Sequence, residues 1–304
     1  MKNNYKFYIK EKIPFVVSKT NLPYPKFQGK TRDVYDLGDD TLLIINTDRI
    51  SAFDSNISNI PFKGKIINQI SSWWFEKTKN IIPNHMISIS SLNEMRVKKC
   101  KVFPIEIVVR GFITGNTKTS LWNLYQSGVR NILGKKLPNK LIKNGKLPFP
   151  IITPTTKSHI SDKPLLNIKD IIKNNFPSEE QWNFISKKSI ELFLFGQKIA
   201  RKSHLLLVDT KYEFGIDNQN NIILVDECHT PDSSRYWKFK DYQKHFQKGK
   251  EIKNFDKEFL RKWYIKQINP YQEKKILDIP EEIKIEISYR YIQLFEKLTG
   301  KSFF

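Results

Sequence analysis

The sequence has few cysteines, no long hydrophobic run and a shortage of acidic residues. Its 304 residues include two cysteines, Cys100 and Cys228, which are too few for a disulfide framework and lack the spacing of zinc ligands. No apolar run approaches the roughly 18 to 20 residues that a membrane-spanning helix needs, and the first residues lack the continuous apolar core of a signal peptide. These absences predict a soluble cytoplasmic protein without a membrane partner.

The shortage of acidic residues leaves a large positive charge. The chain has 52 lysine and arginine residues against 31 aspartate and glutamate residues, a formal net charge of +21. The basic residues are spread along the whole chain, which indicates a compositional bias more than a surface built for phosphates, although a positive field attracts polyanions at low salt. Nucleic-acid binding is therefore an alternative function. Its best local support is the basic, aromatic-rich segment 239–255, for which a solvated connector is the simpler interpretation.

The rest of the composition is that of a folded protein. Hydrophobic residues make up 39% of the chain and aromatic residues 13%, which argues against disorder. Amphipathic spacing predicts a helix around Ile70 and a long helix that runs from a capping box at Ser178 to about Lys202. A last helix is predicted to end at Gly300. Residues 131–164 contain many proline, glycine, lysine and asparagine residues and little periodicity, which predicts a long loop.

The strongest local pattern is the alternation in V-D-T-K-Y-E-F, residues 208–214. Because successive side chains of a strand point to opposite faces, Asp209, Lys211 and Glu213 share one face, and the side chains between and beside them share the other. One face is therefore charged, and the other can pack against a core.

A hairpin is predicted to follow, because the polar run 217–220 is typical of a turn and an apolar run comes after it. A four-residue loop would place Glu213 opposite Leu224 and Asp226 opposite Lys211. Since the side chains of a strand alternate, a slip of one residue would turn Asp226 to the other face.

Three carboxylates around one lysine suit a divalent cation that carries phosphates. Mg²⁺ prefers a few carboxylate oxygens and takes its other ligands from water and phosphate, while a nearby lysine offsets charge on the reacting group. A solvated strand face with cross-strand ion pairs is the alternative. The continuation favours the first interpretation, because the hairpin ends in the acidic pair Asp226-Glu227. The turn T-P-D-S-S-R then brings Asp232 and Arg235 to the end of the strand.

Two further stretches contain candidate phosphate contacts. Gly29-Lys30-Thr31 is similar to the end of a phosphate loop, but Tyr24 stands where that loop needs a glycine. The surrounding residues instead predict a β-hairpin, which could present Lys30 or Arg32 to a nucleotide or could be an ordinary surface hairpin.

The second stretch is the apolar strand within residues 102–116. It ends in Arg110, followed by Gly111 and Gly115. A guanidinium at a strand end beside glycines can hold a phosphate with its planar fork of donors, and a structural ion pair is the alternative.

These motifs together resemble the SAICAR synthetase family. D-T-K-Y-E-F-G, L-V-D-E and T-P-D-S-S-R-Y-W carry the resemblance, and four other motifs precede them in the family's order: G-K-x-R-D-x-Y, T-D-R-I-S-A-F-D, P-x-E-x-x-V-R-G-x-x-T-G and P-x-P-I-x-T-P-x-T-K. The resemblance spans roughly residues 29–300. It implies an α+β, two-lobe fold: an antiparallel-sheet nucleotide lobe, residues 1–103, over a larger α+β lobe, residues 104–304, with the active site in the cleft.

The resemblance also implies a reaction and its participants. The expected reaction is ligation of L-aspartate to the carboxylate of carboxyaminoimidazole ribonucleotide (CAIR), driven by cleavage of ATP with Mg²⁺ as cofactor. A small-molecule kinase that shares the two-lobe plan is a rival. The expected partners are ATP, CAIR and L-aspartate, with no specific nucleic acid, while the oligomeric state stays open.

The site residues that the resemblance implies fall into four groups. They are Lys211, Glu213 and Asp226 as catalytic residues, of which Glu213 and Asp226 bind Mg²⁺; Lys30, Arg32 and Lys157 at ATP; Arg110, Asn116 and Arg235 at the 5′-phosphate of CAIR, with Asp232 at its neutral polar groups; and Ser51, with the turn from Asp48 to Asp54, near the aspartate. Asp209 is expected to fix Lys211, and residues 101–106 to form the hinge against which adenine packs. The family has His-Asp where this chain has Ser161-Asp162, so Asp162 is a match and the histidine is missing.

Overall fold

The computed structural model describes residues 2–53, 55–117, 119–157, 164–173, 177–250, 252–270 and 276–304. The helices are α1 (Lys2–Glu11), α2 (Lys63–Thr78), α3 (Leu121–Gln126), α4 (Ile168–Lys173), α5 (Glu179–Lys202), α6 (Phe239–Phe246), α7 (Glu258–Gln267) and α8 (Glu281–Thr299). A short 3₁₀-helix spans Ile13–Phe15. No helix in these described ranges is long and apolar enough to cross a membrane.

Fifteen strands are present in the described part of the chain. They are β1 (Lys26–Gln28), β2 (Arg32–Asp36), β3 (Thr41–Asn46), β4 (Arg49–Ala52), β5 (Ser55–Asn59), β6 (Met86–Ser91), β7 (Glu94–Lys98), β8 (Lys101–Val102), β9 (Ile105–Phe112), β10 (Asn131–Ile132), β11 (Lys135–Lys136), β12 (Lys146–Thr156), β13 (Leu205–Ile216), β14 (Ile222–Val225) and β15 (Ser234–Lys238).

Two larger antiparallel sheets organise the molecule. The first has the strand order β1-β2-β3-β7-β6. The second has the order β12-β9-β13-β14, and β8 and β15 also pair with β13. The pairs β4-β5 and β10-β11 form two small sheets. The predicted α+β class is therefore confirmed, with β13 at the centre of the larger sheet.

The predicted N-terminal hairpin is confirmed as β2 and β3, in which Arg32 pairs with Asn46. Its turn, residues 37–40, contains Gly38 at a φ of 80°, a left-handed conformation that glycine adopts without steric cost. The strand β2 starts at Arg32, whereas the sequence predicts a strand that begins at Lys30. Lys30 is therefore not in this hairpin but in the turn that connects β1 to β2.

The long helix α5 covers one face of the larger sheet. Its capping box is formed as predicted, because Ser178 accepts from the backbone of Gln181 while the Gln181 side chain accepts from the backbone of Ser178. The helix lies so close to β9 that a Cβ atom at Gly111 would sit 3.1 Å from the ring of Phe193. Gly111 follows Arg110 on β9 and so lies on the opposite face of the sheet. Since Asp209 pairs with Arg110, the charged side chains of β13 face away from α5.

The packing face of β13 is confirmed from Thr210 to Phe214: Thr210, Tyr212 and Phe214 are buried, and the two aromatic rings belong to the main core. Val208, the residue before Asp209, was predicted on the same face, but the register with β15 shifts between Leu207 and Asp209, and Val208 packs in a separate cluster with Phe112 and Trp237. The helix predictions for α2 and α8 are also confirmed: Ile70 of α2 is fully buried, and α8 ends at Gly300, which has a φ of 72°.

The predicted register of the β13–β14 hairpin is wrong by one residue. Glu213 pairs with Val225, not with Leu224. The loop is shorter because Asp217 and Asn221 close it: the Asp217 N–H donates to the Asn221 carbonyl at 3.0 Å. Asn220 has a φ of 61°, as in three-residue hairpin loops that end in a left-handed residue.

The predicted long loop at residues 131–164 is also wrong. It contains β10, β11 and the 11-residue strand β12, which pairs with β9 over most of its length. Proline and lysine residues hid the strand, because β12 lies at the edge of its sheet, where missing N–H donors and charged side chains are tolerated. Asp162 lies outside the described residues.

The basic segment 239–255 is not a solvated connector. Its first eight residues form α6, and the ring of Tyr242 stacks on that of Trp237 with the centroids 5.5 Å apart. Its aromatic residues therefore pack against the end of the larger sheet.

Candidate active site

The charged face of the larger sheet carries two clusters that are side by side along β13. The register places Asp209 opposite Arg110 of β9 and opposite Arg235 of β15. Lys211 lies two residues further along the strand, about 7 Å away at the usual rise per residue. We call Asp209 with its two arginines the arginine cluster, and Lys211 with its carboxylates the lysine cluster.

The lysine cluster brings three carboxylates to one ammonium group. Lys211 Nζ donates to Glu213 Oε1 at 2.6 Å and to Glu106 Oε1 at 2.9 Å. Asp226 Oδ2 lies 3.6 Å from the same nitrogen. The sequence predicted Glu213 and Asp226 here. It did not predict Glu106, although Glu106 lies four residues before Arg110 on the same strand and therefore on the same face.

Asp226 reaches Lys211 despite the shifted register. The strand β14 ends at Val225, and Asp226 has a φ of 69°. A regular strand in this register would turn Asp226 to the packing face, but the left-handed residue redirects its side chain to the charged face. The predicted neighbours are therefore correct, although the register used to derive them is wrong.

Two further cations enclose the lysine cluster. Lys157 Nζ donates to Glu213 Oε2 at 2.5 Å. Arg32 donates a hydrogen bond from NH1 to Asp226 Oδ1, and its NH2 lies 3.0 Å from Glu227 Oε2. Both cations were predicted to bind ATP, and the structure places both beside the predicted metal ligands.

Burial and charge act against each other in this cluster. Burial alone would raise the pKa of Asp226, but Arg32 and Lys211 hold that pKa well below its usual range. Burial opposes protonation of Lys211, but the surrounding carboxylates raise its pKa above the ordinary value. Burial and the nearby Asp226 raise the pKa of Glu213. The cations therefore stabilise the charge of Asp226, whereas the ionised form of Glu213 is disfavoured.

The arginine cluster has the opposite composition. Arg235 NH1 donates to Asp209 Oδ2 at 2.5 Å, and Arg110 NH1 lies 3.7 Å from the same oxygen. Arg110 also donates to Thr153 Oγ1 at 2.7 Å and to the Thr119 carbonyl at 3.3 Å. Burial lowers the pKa of Arg110 to about 10. The prediction that Asp209 fixes Lys211 is wrong, because its carboxylate binds the two arginines.

Asn116 lies next to this cluster through a shared carboxylate. Its amide nitrogen donates to Glu258 Oε1 at 3.2 Å, and Arg235 NH2 lies 3.4 Å from Glu258 Oε2. Lys143 Nζ donates to the Asn116 side-chain oxygen at 2.7 Å. The three residues predicted at the 5′-phosphate, including Arg110, are therefore brought together.

Asp232 forms a buried ion pair with a residue of α2. Lys63, the first residue of α2, places Nζ 2.8 Å from Asp232 Oδ2, and the two side chains are 2% and 6% exposed. The Tyr291 hydroxyl donates to Asp232 Oδ1 at 2.8 Å, and Lys257 Nζ lies 3.9 Å away. Asp232 therefore anchors the turn between the two clusters to α2 and α8.

Two other predicted regions lie in the β1–β2 turn and around β4. Lys30 is exposed in the β1–β2 turn. Ser51 lies in β4, and Asp48 before it accepts backbone hydrogen bonds from Val17 and Gly64 at 2.8 and 2.9 Å. Asp54 lies outside the described residues. Among the described contacts, none joins Ser51 to either cluster.

The hinge prediction falls on β8 and the start of β9. Gly215 of β13 pairs with Val102, and the Phe103 N–H donates to the Phe214 carbonyl at 2.9 Å. The Lys157 N–H donates to the Pro104 carbonyl at 3.0 Å, so the segment lies beside a residue predicted at ATP.

Sequence reasoning missed three residues that shape the site. Glu106 could have been found, since it lies within a quoted motif, whereas Glu227 was named in the acidic pair without a role of its own. Lys63 and Glu258 carried no local signal, because their partners are more than twenty residues away in sequence.

Comparisons with known proteins agree with this geometry. A family model described as SAICAR synthetase matches residues 26–276. A phosphoribosylaminoimidazole-succinocarboxamide synthase of Legionella pneumophila (strain Lens) is 48% identical over 292 residues, which cover 96% of this chain and 93% of that protein. The chloroplastic protein of the same name from Arabidopsis thaliana is 48% identical over 298 residues, which cover 96% of this chain and 72% of that protein.

A solved structure has the same fold. It is the SAICAR-synthase from Saccharomyces cerevisiae complexed with SAICAR, with a TM-score of 0.80 and 30% identity, covering 94% of this chain and 99% of that chain. The sequence motifs, the two clusters on one sheet face and these comparisons lead to one conclusion: the chain belongs to the SAICAR synthetase family.

Proposed function

We propose that this chain ligates L-aspartate to the carboxylate of CAIR, producing SAICAR, ADP and phosphate, a step of purine biosynthesis. Membership of the family supports this function, and the names of the similar proteins describe the same synthesis. One observation carries the proposal: the lysine and arginine clusters lie on the same sheet face, two residues apart along β13. One substrate can therefore place its phosphate at the arginines and its carboxylate at Lys211.

The chemistry requires activation of a carboxylate, which is a poor acyl donor. A carboxylate oxygen of CAIR attacks the γ-phosphorus of ATP, the bond to the β–γ bridging oxygen breaks, and ADP leaves. The aspartate amine then attacks the acyl carbon of the acyl phosphate, the acyl C–O bond breaks to release phosphate, and the amine loses a proton. No enzyme nucleophile is needed, so catalysis depends on positioning and charge neutralisation.

The residues of the lysine cluster have distinct roles in this scheme. Lys211, held by Glu106 and Glu213, contacts the substrate carboxylate and the transferring phosphate. Lys157 and Arg32 lie on either side and contact ATP, and Lys30 reaches the same phosphates from the β1–β2 turn. Because ion pairs hold Lys211, Lys157 and Arg32 in place beforehand, little reorganisation is needed when charge moves in the transition state.

Glu213 and Asp226 are suited to hold Mg²⁺. Among the described residues, no group of three or more histidine, cysteine, aspartate or glutamate side chains has the arrangement of a complete metal cage. Two carboxylates nevertheless fit this ion, which usually takes its remaining ligands from water and substrate phosphates. When bound, Mg²⁺ would neutralise charge on the β- and γ-phosphates.

The arginine cluster holds the ribonucleotide end of CAIR. Arg110, Arg235 and Asn116 bind the 5′-phosphate, because guanidinium forks and an amide donor match its oxygens. Asp232 lies nearby for the neutral polar groups, and Ser51 with the neighbouring turn is the proposed aspartate region. We also propose residues 1–103 and 104–304 as the two lobes, and a cytoplasmic location, which the two free cysteines support.

The test is ADP release by the purified protein with Mg-ATP and CAIR, with and without L-aspartate. ADP and SAICAR formed together only when aspartate is present would support the ligase. ADP with a stable phosphorylated product and no aspartate incorporation would instead identify a kinase. Tight, salt-sensitive nucleic-acid binding with no turnover would favour the alternative of a binding protein.

A further inference from the structure

A cavity of about 810 Å³ opens beside the arginine cluster. Asn116 and Arg235 form part of its wall, and the volume is in the range of small-molecule sites. Five of the described residues that line it are lysine or arginine, and the acidic residue among them is Glu258. An acidic side chain in the wall of a basic cavity needs a physical explanation.

Glu258 binds two of the three residues proposed to hold the 5′-phosphate. Its Oε1 accepts from Asn116 Nδ2 at 3.2 Å, and its Oε2 lies 3.4 Å from a terminal nitrogen of Arg235 and of Arg261. The residue is 4% exposed, and its backbone N–H donates to Asp256 Oδ1 at 2.8 Å, which fixes it at the start of α7.

A carboxylate and a phosphate accept hydrogen bonds from the same donors. Guanidinium and amide groups bind either anion, and two anions that share one set of donors repel each other. We propose that Glu258 is an internal competitor of the 5′-phosphate, which holds Asn116 and Arg235 in position until the substrate phosphate displaces it. This inference rests on the proposed function for the identity of the ligand.

The surrounding cations keep Glu258 charged, as a competitor of a phosphate must be. Burial would raise the pKa of Glu258, but Arg235, Arg261 and Lys262 lower it to about 2, so the side chain is ionised at neutral pH. Burial and the positive charge of Lys262 lower the pKa of Lys143, which indicates that cations crowd this wall. An incoming dianion would relieve that crowding, and Arg261 would keep hold of the released Glu258.

The main test is the variant Glu258→Gln, which keeps the size of the side chain and removes its charge. Calorimetry should show CAIR binding about tenfold more tightly than to the unmodified protein, the scale of one lost like-charge contact. The corresponding nucleoside without the 5′-phosphate should bind with unchanged affinity. Weaker CAIR binding, or an equal change for both ligands, would overturn the proposal and make Glu258 a support for Arg235.

Two further variants make the result decisive. Glu258→Asp keeps the charge but shortens the side chain, so we expect a smaller gain in CAIR affinity; this variant decides the direction if the Gln variant does not fold. Glu286→Gln removes a carboxylate of α8 that lies outside the cavity wall and pairs with Lys6 of α1 and with Arg290; it should change neither affinity.

The affinity for inorganic phosphate distinguishes a failure of this inference from a failure of the proposed function. If the unmodified protein fails to ligate aspartate, the proposed function is wrong, but Glu258→Gln should still bind phosphate more tightly. If ligation is normal and phosphate affinity does not increase, the function stands and the competitor role is wrong.

Discussion

The lysine and arginine clusters use the same strand and the same kinds of contact, but their charges are inverted. In the lysine cluster, three carboxylates surround one ammonium group. In the arginine cluster, two guanidinium groups share the carboxylate of Asp209. One regular alternation of Asp209, Lys211 and Glu213 therefore places a lysine among carboxylates and, about 7 Å away, an aspartate between guanidinium groups. Lys157 and Arg32 offset part of the carboxylate charge around Lys211.

This difference determines which ligand group each cluster can receive. The carboxylates of the lysine cluster favour a divalent cation, and the cations around them favour the phosphates that such a cation carries. The excess of guanidinium groups favours a phosphate dianion. A substrate with a phosphate at one end and a carboxylate at the other is thereby oriented along β13. Removing a charge from the lysine cluster should therefore change mainly kcat and the Mg²⁺ dependence. Removing a charge from the arginine cluster should change mainly the KM for CAIR.

The largest effect is expected for Asp226→Asn, which removes a proposed Mg²⁺ ligand and the partner of Arg32. The kcat should fall about 10²- to 10³-fold, the range seen when one preorganised electrostatic group is lost. The Mg²⁺ concentration for half-maximal activity should rise, and the KM for CAIR should change little. The matched control is Asp36→Asn, which removes an exposed ion pair with Lys99. Near-normal turnover at saturating Mg²⁺ would contradict the metal assignment.

A smaller effect, on a different parameter, is expected for Arg110→Ala. The KM for CAIR should rise about 10- to 100-fold, because a hydrogen bond to a charged group contributes about 1.5 to 3 kcal/mol. The Mg²⁺ dependence should stay the same. Arg96→Ala is the control, since Arg96 pairs with Asp39 on the surface. An unchanged KM would remove Arg110 from the phosphate site.

The smallest effect on activity is expected at His229, which belongs to neither cluster. It is fully buried beside the Tyr212 hydroxyl, and burial lowers its pKa to about 3. In the unfolded chain His229 takes up a proton below about pH 6.5, but in the folded chain it does not. Its contribution to the free energy of unfolding is therefore fully present above about pH 6.5 and is lost as the pH falls. The expected slope is about 1.4 kcal/mol per pH unit.

Chemical denaturation of His229→Gln at pH 7 and pH 5 would test this. The variant should lose less stability between the two values than the unmodified protein, while the KM for CAIR and the Mg²⁺ dependence stay unchanged at pH 7. An equal loss in both proteins would show that His229 does not determine the acid sensitivity.

Much of the site could be predicted because its residues are carried by local patterns. From Asp209 to Phe214 the alternation of β13 fixes which side chains share a face, whatever the partner strands are. The face of Asp226 could not be derived in the same way. It depends on a left-handed backbone at the end of β14, and two compensating errors, in the register and in the backbone conformation, gave the correct neighbours.

Other features depend on tertiary contacts that sequence patterns do not record. The strand β12 was hidden by prolines that only an edge position tolerates. Asp209 has arginine partners because β9 and β15 both pair with β13, and no local rule predicts which strands become neighbours. Glu258 is far from Asn116 in sequence and meets it only through the placement of α7.

The buried pair of Lys63 and Asp232 has a consequence for dissecting the protein. Each of the proposed lobes supplies one member of the pair, which is buried only while the two lobes are in contact. Separating the lobes would remove this ion pair and leave Asp232 with Tyr291 and Lys257 of its own lobe. Fragments cut near residue 103 should therefore fold poorly when expressed singly and recover structure when mixed, as complementing halves of one folding unit.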